Sequence, residues 1–234
     1  REFLVNTYWQ SNMMLMLKRA NKYFPTIEKI LVEEGVPSDL KYISVIESGL
    51  VNAISPAGAK GFWQIMRATG REYGLEVNGN VDERYHLEFS TRVAAKYLKK
   101  AKEKFGSWTL AAASYNMGVT GIQRNLNTQQ VDNYFDLKLN GETSRYVFRV
   151  LAVKEIIENP MKYGYVFDQS DLYDQVPLRL HGLDTAIPNL ASFAKKMGIN
   201  YKILKIHNPW LLQNHLNNKS RKYYEIAIPE IGHY

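Results

Sequence analysis

Apolar positions recur at helical spacing from about residue 12 to residue 34, where Leu15, Leu17, Tyr23, Phe24, Ile27, Ile30 and Leu31 supply one packing side around Pro25. Pro37 and Ser38 then open a second predicted helix. In it Leu40, Ile43, Ile46 and Leu50 form an apolar stripe, and at about 100° per residue Glu47 falls between Leu40 and Ile43 on the stripe's edge. Gly49 can end this helix, and Ser55-Pro56 with Gly58 and Gly61 predicts a tight turn that returns past its end. A later helix buries Val93, Ala94, Tyr97, Leu98, Ala101 and Phe105, and the alanine-rich run from Trp108 to Asn116 predicts a central helix that others approach closely. After a polar stretch around Asn125 to Asp132, Thr143 or Ser144 can cap a helix carrying Tyr146, Val147, Val150, Leu151, Val153 and Ile157, stopped by Pro160. This part of the chain reads as almost entirely helical.

The pattern changes after Tyr163-Gly164-Tyr165. Val176, Leu178 and Leu180 alternate as in a strand, Ile187 to Met197 reads as a helix ended by Gly198, and Tyr201 to Ile206 as another before Asn208-Pro209. Tyr224 to Ile228 alternates again and is bounded by Pro229. The expectation is therefore two domains, residues 1–168 mainly α and residues 169–234 a small α+β unit in the order β-α-α-β.

Composition is that of an ordinary globular chain, with 45% hydrophobic and 23% charged residues in 234, enough length for one medium core and one small one. No apolar run is long enough to span a bilayer. The chain opens at Arg1 rather than Met, which is read as a processed form from which a signal peptide or lipid anchor has been removed. Formal charge is +7, so a polyanion is a reasonable partner: nucleic acid, an anionic membrane surface, or a cell wall bearing carboxylates. Lys96, Lys99, Lys100, Lys102 and Lys104 crowd one helix but lie opposite its apolar side, as a solvated face does, and no nucleic-acid motif accompanies them. There is no cysteine, and His86, His181, His207, His215 and His233 lack metal-ligand spacing, so neither metal nor cofactor is expected.

Glu47 carries the sharpest chemical signal. A carboxyl aimed toward a core resists ionisation, its pKa rises, and a carboxyl still protonated near neutral pH is a general acid. The plainer alternative is a glutamate that snorkels to water or pairs with a lysine. Phe62, Trp63 and Met66 beside the Gln64 amide suit a sugar ring, and the aromatics suit a core equally well. Asp39, Glu72, Asp82 and Glu83 read as surface or structural residues. That leaves one convincing carboxylate where most glycosidases use two.

The run from Glu47 to Met66 resembles the signature of the lysozyme-like lytic transglycosylases, of the membrane-bound murein transglycosylase D type. Three further segments resemble that family in order: Asp82-Glu83-Arg84 through Ala94-Ala95-Lys96-Tyr97-Leu98, then Trp108 through Ala113-Ser114-Tyr115-Asn116-Met117-Gly118, then Glu142-Thr143-Ser144-Arg145-Tyr146-Val147. Arg67, Ser114 and Met117 depart from the family's usual Pro, Ala and Ala, and none removes a group expected to do chemistry. The resemblance implies a goose-type lysozyme-like fold and cleavage of the bond between N-acetylmuramic acid and N-acetylglucosamine without water, giving a 1,6-anhydromuramoyl end. By the same resemblance Glu47 is acid and base, Ser55 and Tyr146 support it, and Gln64, Met66, Tyr115 and Asn116 line the glycan groove. Peptidoglycan strands are the implied partner and the periplasm of a Gram-negative bacterium the implied place, with a monomeric chain and room for outer-membrane attachment through the removed anchor; nucleic acid is not expected.

Residues 172–230 resemble a LysM module at Gly182-Leu183-Asp184-Thr185, Ala191-Ser192-Phe193-Ala194, Leu204 and Asn208-Pro209, with Pro188 falling inside the expected first helix. That resemblance implies glycan binding, and a structural appendage is the equal alternative. The rival functions are a hydrolytic goose-type lysozyme, in which water attacks, and a cell-wall binding protein without turnover.

Overall fold

The computed structural model describes residues 1–3, 5, 10–230 and 232, which leaves His233 outside the described residues. The first half of the chain builds helix α1, Gln10–Glu33, with Pro25 inside it. A 3-10 turn, Ser38–Lys41, leads into the short α2, Tyr42–Ser48, and α3 spans Arg67–Glu72. Then come α4, Leu87–Phe105, α5, Trp108–Met117, α6, Val119–Gln129, and α7, Thr143–Glu158. Ile27, Leu31, Ile43, Trp63, Leu98, Leu110, Ile122 and Ile156 are fully buried at the centre of this bundle. The alanines do what their size allows: Ala94 and Ala95 of α4 and Ala111 and Ala113 of α5 vanish from the surface where the two helices approach, and Tyr97 donates across them to the Ser114 carbonyl at 2.8 Å.

The second half places strand β1, Leu178–Leu183, antiparallel to β2, Tyr224–Pro229, with Leu178 opposite Pro229 and Leu183 opposite Tyr224. Helices α8, Leu190–Lys196, and α9, Tyr201–His207, lie between them in sequence, capped at their starts by the Asn189 and Asn200 side chains. β2 alternates as a half-buried strand should, turning Tyr224, Ile226 and Ile228 inward onto Leu190, Leu204, Trp210 and Leu211. The same cluster includes Val81 and Tyr85, which belong to the first half of the chain.

Four local expectations change. The polar stretch from Asn125 is the end of helix α6, whose inward residues Ile122 and Leu126 are too few to announce it. Neither Thr143 nor Ser144 caps α7; Asn140 accepts from the backbone N–H groups of Glu142 and Thr143 at 3.0 and 2.8 Å. α8 begins two residues after Pro188, so that proline precedes the helix rather than breaking it. Asp82 and Glu83 lie in the interior, and so does Arg84. Among the described residues no helix is long and apolar enough to cross a membrane.

Candidate active site

Glu47 sits in the last turn of α2, which stops because Gly49 adopts the left-handed conformation, φ 63°, that a glycine enters without a Cβ clash. Leu50 keeps the left-handed region at φ 58° despite its side chain, held there by complete burial. The chain then makes the loop 52–66. The Ser55 hydroxyl accepts from the Ala59 N–H at 3.0 Å while Ser55 N–H donates to the Ala59 carbonyl at 2.9 Å, closing the turn predicted around Pro56. Gln64, within the loop, also has a positive φ, 47°, and its amide donates to the carbonyls of Ala53 at 3.1 Å and Gly61 at 2.9 Å. Both amide hydrogens of Gln64 thus fix the loop.

The loop is tied back to α2 and to α5. Ser48 donates from Oγ to the Phe62 carbonyl at 2.9 Å, and the Tyr115 hydroxyl donates to the Trp63 carbonyl at 2.8 Å. Trp63 is wholly buried and spends its indole N–H on Thr91 at 2.8 Å, so it and Phe62 are core, whereas Met66 is 45% exposed. Of the three apolar groups considered for a sugar platform, Met66 alone faces solvent.

The Tyr146 hydroxyl of α7 donates to Glu47 Oε1 at 2.5 Å. Burial drives the Glu47 carboxyl above the ordinary glutamate pKa; the Tyr146 bond and the Arg149 charge pull the other way without restoring it, and Glu142 adds to the rise. Burial and the neighbouring Glu47 hold the Tyr146 phenol well above its usual value, so it stays a donor. Among the described residues the other Glu47 oxygen has no hydrogen-bond partner. Partly buried Tyr115 also feels the Glu47 charge.

Asn116 lies in the last turn of α5, donating from Nδ2 to Glu142 Oε1 at 2.9 Å and accepting from the Thr143 hydroxyl at 2.7 Å. Ser55 makes no hydrogen bond to Glu47; its role in the fold is the turn. The structure therefore brings Glu47, Tyr146 and Tyr115 together directly, and places Gln64, Ser55 and Met66 on the loop beside them. Two residues with an effect on Glu47 carried no role in the sequence reading: Glu142, and Arg149, which donates to the Ile46 carbonyl at 3.2 Å. Their spacing from Tyr146, four before and three after, puts Arg149 on the Tyr146 face of α7 and Glu142 at the residue that precedes the helix on the same side, a signal available in the sequence.

The transglycosylase SLT domain family matches residues 25–137, a stretch that holds Glu47, Ser55, Gln64, Met66, Tyr115 and Asn116 and ends before Tyr146. The soluble lytic transglycosylase C-terminal LysM-like domain family matches residues 181–232. The chain is 29% identical over 218 residues to the membrane-bound lytic murein transglycosylase D of Escherichia coli K12, covering 91% of this chain and 47% of that protein. It is 28% identical over 108 residues to a putative tributyltin chloride resistance protein of Alteromonas sp. strain M-1, covering 45% of this chain and 52% of that one. An X-ray structure of lytic transglycosylase Slt from Pseudomonas aeruginosa superposes with a TM-score of 0.46 and 21% identity, over 64% of this chain and 26% of that one. The chain thus spans about half the length of the curated relatives it matches.

Proposed function

Because the chain carries a transglycosylase SLT domain followed by a LysM-like domain of the soluble lytic transglycosylase kind, we propose that it cleaves peptidoglycan by non-hydrolytic transglycosylation. The observation that carries this reading is the half-buried Glu47 carboxyl, raised in pKa and gripped on one oxygen by Tyr146. Its free oxygen donates a proton to the glycosidic oxygen between N-acetylmuramic acid and N-acetylglucosamine. The C1–O bond breaks with positive charge on the muramoyl ring, and the glucosamine leaves as an alcohol.

The carboxylate left on Glu47 then takes the proton of the C6 hydroxyl of the same muramoyl sugar as its oxygen bonds to C1. The product is the 1,6-anhydro ring, Glu47 is protonated again, and no water is consumed. Intramolecular attack supplies the nucleophile at high effective concentration, so one carboxylate does the work of two. Gln64 Oε1, the remaining Asn116 N–H and the exposed Met66 thioether are the contacts offered to the glycan, with Ser55 shaping the loop and Tyr115 its floor.

A specific observation keeps hydrolysis as the second reading: Glu142 lies within electrostatic reach of Glu47 and could activate water. In our reading Glu142 instead orients Asn116, to which it is bonded. The working context is the periplasm of a Gram-negative bacterium, as a monomer on peptidoglycan strands, with residues 169–234 as the second domain. Digestion of purified sacculi tests the reaction. Muropeptides lighter by one water than lysozyme products are expected; products of hydrolytic mass would move the chain to the lysozymes, and binding without release would make it a cell-wall binding protein.

A further inference from the structure

Between α3 and α4 the segment 76–86 is gripped from both sides. On one side it joins the C-terminal unit: Val81 and Tyr85 are part of that unit's core, Asp82 N–H donates to the Trp210 carbonyl at 2.9 Å, and Leu212 N–H donates to the Asn80 carbonyl at 2.9 Å. Lys222 Nζ reaches Glu83 Oε1 at 2.6 Å and Glu76 Oε2 at 2.8 Å, and the Tyr224 hydroxyl donates to Glu76 Oε2 at 2.8 Å. The other Glu83 oxygen accepts from the Glu76 N–H at 2.7 Å.

On its other side the segment holds the catalytic loop. Asp82 clamps Arg84 through two oxygens, to Nε at 2.9 Å and Nη2 at 2.8 Å. Arg84 Nη1 then donates to the carbonyls of Gly58 and Ile65, both at 3.1 Å, so one guanidinium ties the two limbs of the loop. Gly61 lies so close to the Arg84 backbone that a Cβ there would meet its carbonyl oxygen at 2.0 Å. From the loop, the Ser48 and Tyr115 bonds run on to the Glu47 neighbourhood. The connection between the two units is also fastened, with Tyr173 N–H donating to the Lys18 carbonyl at 3.3 Å and Asn21 donating to the Tyr173 carbonyl at 3.1 Å.

We propose that the C-terminal unit is a positioning element for the catalytic loop, with Lys222 a positioning residue that acts through Glu83, Asp82 and Arg84 on residues 58–65. A tethered glycan-binding appendage would need none of these contacts. The proposal rests on the reading of loop 52–66 as part of the active site. A small displacement of this supporting shell shifts Gln64 and Met66 from their place beside Glu47 and lowers cleavage without touching Glu47 itself.

The test uses the full chain and four variants, Lys222→Met, Lys222→Arg, Tyr224→Phe and Lys195→Met, the last removing an exposed lysine of α8 that contacts neither segment nor loop. Two readouts are taken: amide hydrogen exchange at Ala59 and Ile65, and kcat/KM for cleavage of sacculi as a function of pH. For Lys222→Met the loop amides should exchange faster and kcat/KM should fall roughly tenfold or more, with the pH dependence of cleavage unmoved because Glu47 keeps its surroundings. Lys222→Arg should restore both, Tyr224→Phe should move both the same way by less, and Lys195→Met should match the parent. Unchanged exchange in the loop of Lys222→Met and Tyr224→Phe overturns the proposal, as does a kcat/KM equal to the parent's in Lys222→Met. If the parent itself does not cleave sacculi, the proposed reaction fails, while the exchange arm still decides whether the C-terminal unit holds the loop.

Discussion

Glu47 at the end of α2 and Asp82 beneath the C-terminal unit are both carboxylates withdrawn from water, and their surroundings push them in opposite directions. Burial raises both. Around Asp82 that penalty is outweighed by the Arg84 fork, by Lys60 at 3.4 Å and by a backbone N–H, which together hold its carboxyl below the ordinary aspartate pKa. Around Glu47 the one direct donor among the described residues is the neutral Tyr146 phenol, Arg149 acts at a distance, and burial wins. Depth alone therefore makes neither an acid nor a strut; a charged partner in contact separates the two. The linkage differs in sign as well. Stability contributed by Asp82 is present above its unfolded pKa and lost as pH falls through its lowered folded value, whereas that of Glu47 is present at low pH and lost as pH rises through its raised one.

The largest effect expected is on turnover. Glu47→Gln should lower sacculus cleavage by about 10²–10⁴-fold or more, measured as muropeptide release. It should leave the fold intact, with a melting temperature at neutral pH equal to or above the parent's because a charge-averse site has lost its carboxylate. Asp82→Ala should do the reverse at the level of folding: removing one partner of a buried pair destabilises by about 3–5 kcal/mol, read from urea unfolding. If instead Asp82→Ala unfolds no sooner than the parent, the pair is not a strut and the contrast fails.

Smaller effects act on the balance at Glu47. Tyr146→Phe removes a bond that favours the charged form, so the alkaline limb of the pH–rate profile should move to higher pH while the rate falls roughly tenfold to a hundredfold through lost positioning. Glu142→Gln removes a charge that disfavours ionisation, so its alkaline limb should move to lower pH with the anhydro product retained. Movement of both limbs in one direction would show that Glu47 does not set the profile. Smallest is the exposed Lys154–Asp39 pair, whose removal should change stability by no more than about 1 kcal/mol in a thermal melt.

Much of the Glu47 side of this contrast was legible in the chain. Helical spacing put Glu47 on the edge of an apolar stripe, Gly49 and the Ser-Pro-Gly turn marked where the loop starts, and motif resemblance supplied Tyr146, Tyr115 and Asn116. The Asp82 side was not, because its cause is long-range. Asp82, Glu83 and Arg84 look like a polar surface turn, and what buries them is Lys222, Trp210 and Leu211, with Lys222 lying 139 positions beyond Glu83. Local pattern reads the period of a helix or strand and has no access to what will cover a loop. The same limit applied to Trp63, whose indole could stack on a sugar or fill a core until Thr91 and α4 were seen around it.

The central claim is that burial outweighs the Tyr146 bond and the Arg149 charge and holds the Glu47 carboxyl above the ordinary glutamate pKa. Difference infrared spectroscopy of the parent against Glu47→Gln, followed through a pH titration, isolates that single carboxyl. The account predicts a protonated C=O band at position 47 that persists above the pH range of ordinary glutamates; a carboxylate signal already complete at or below that range would contradict it.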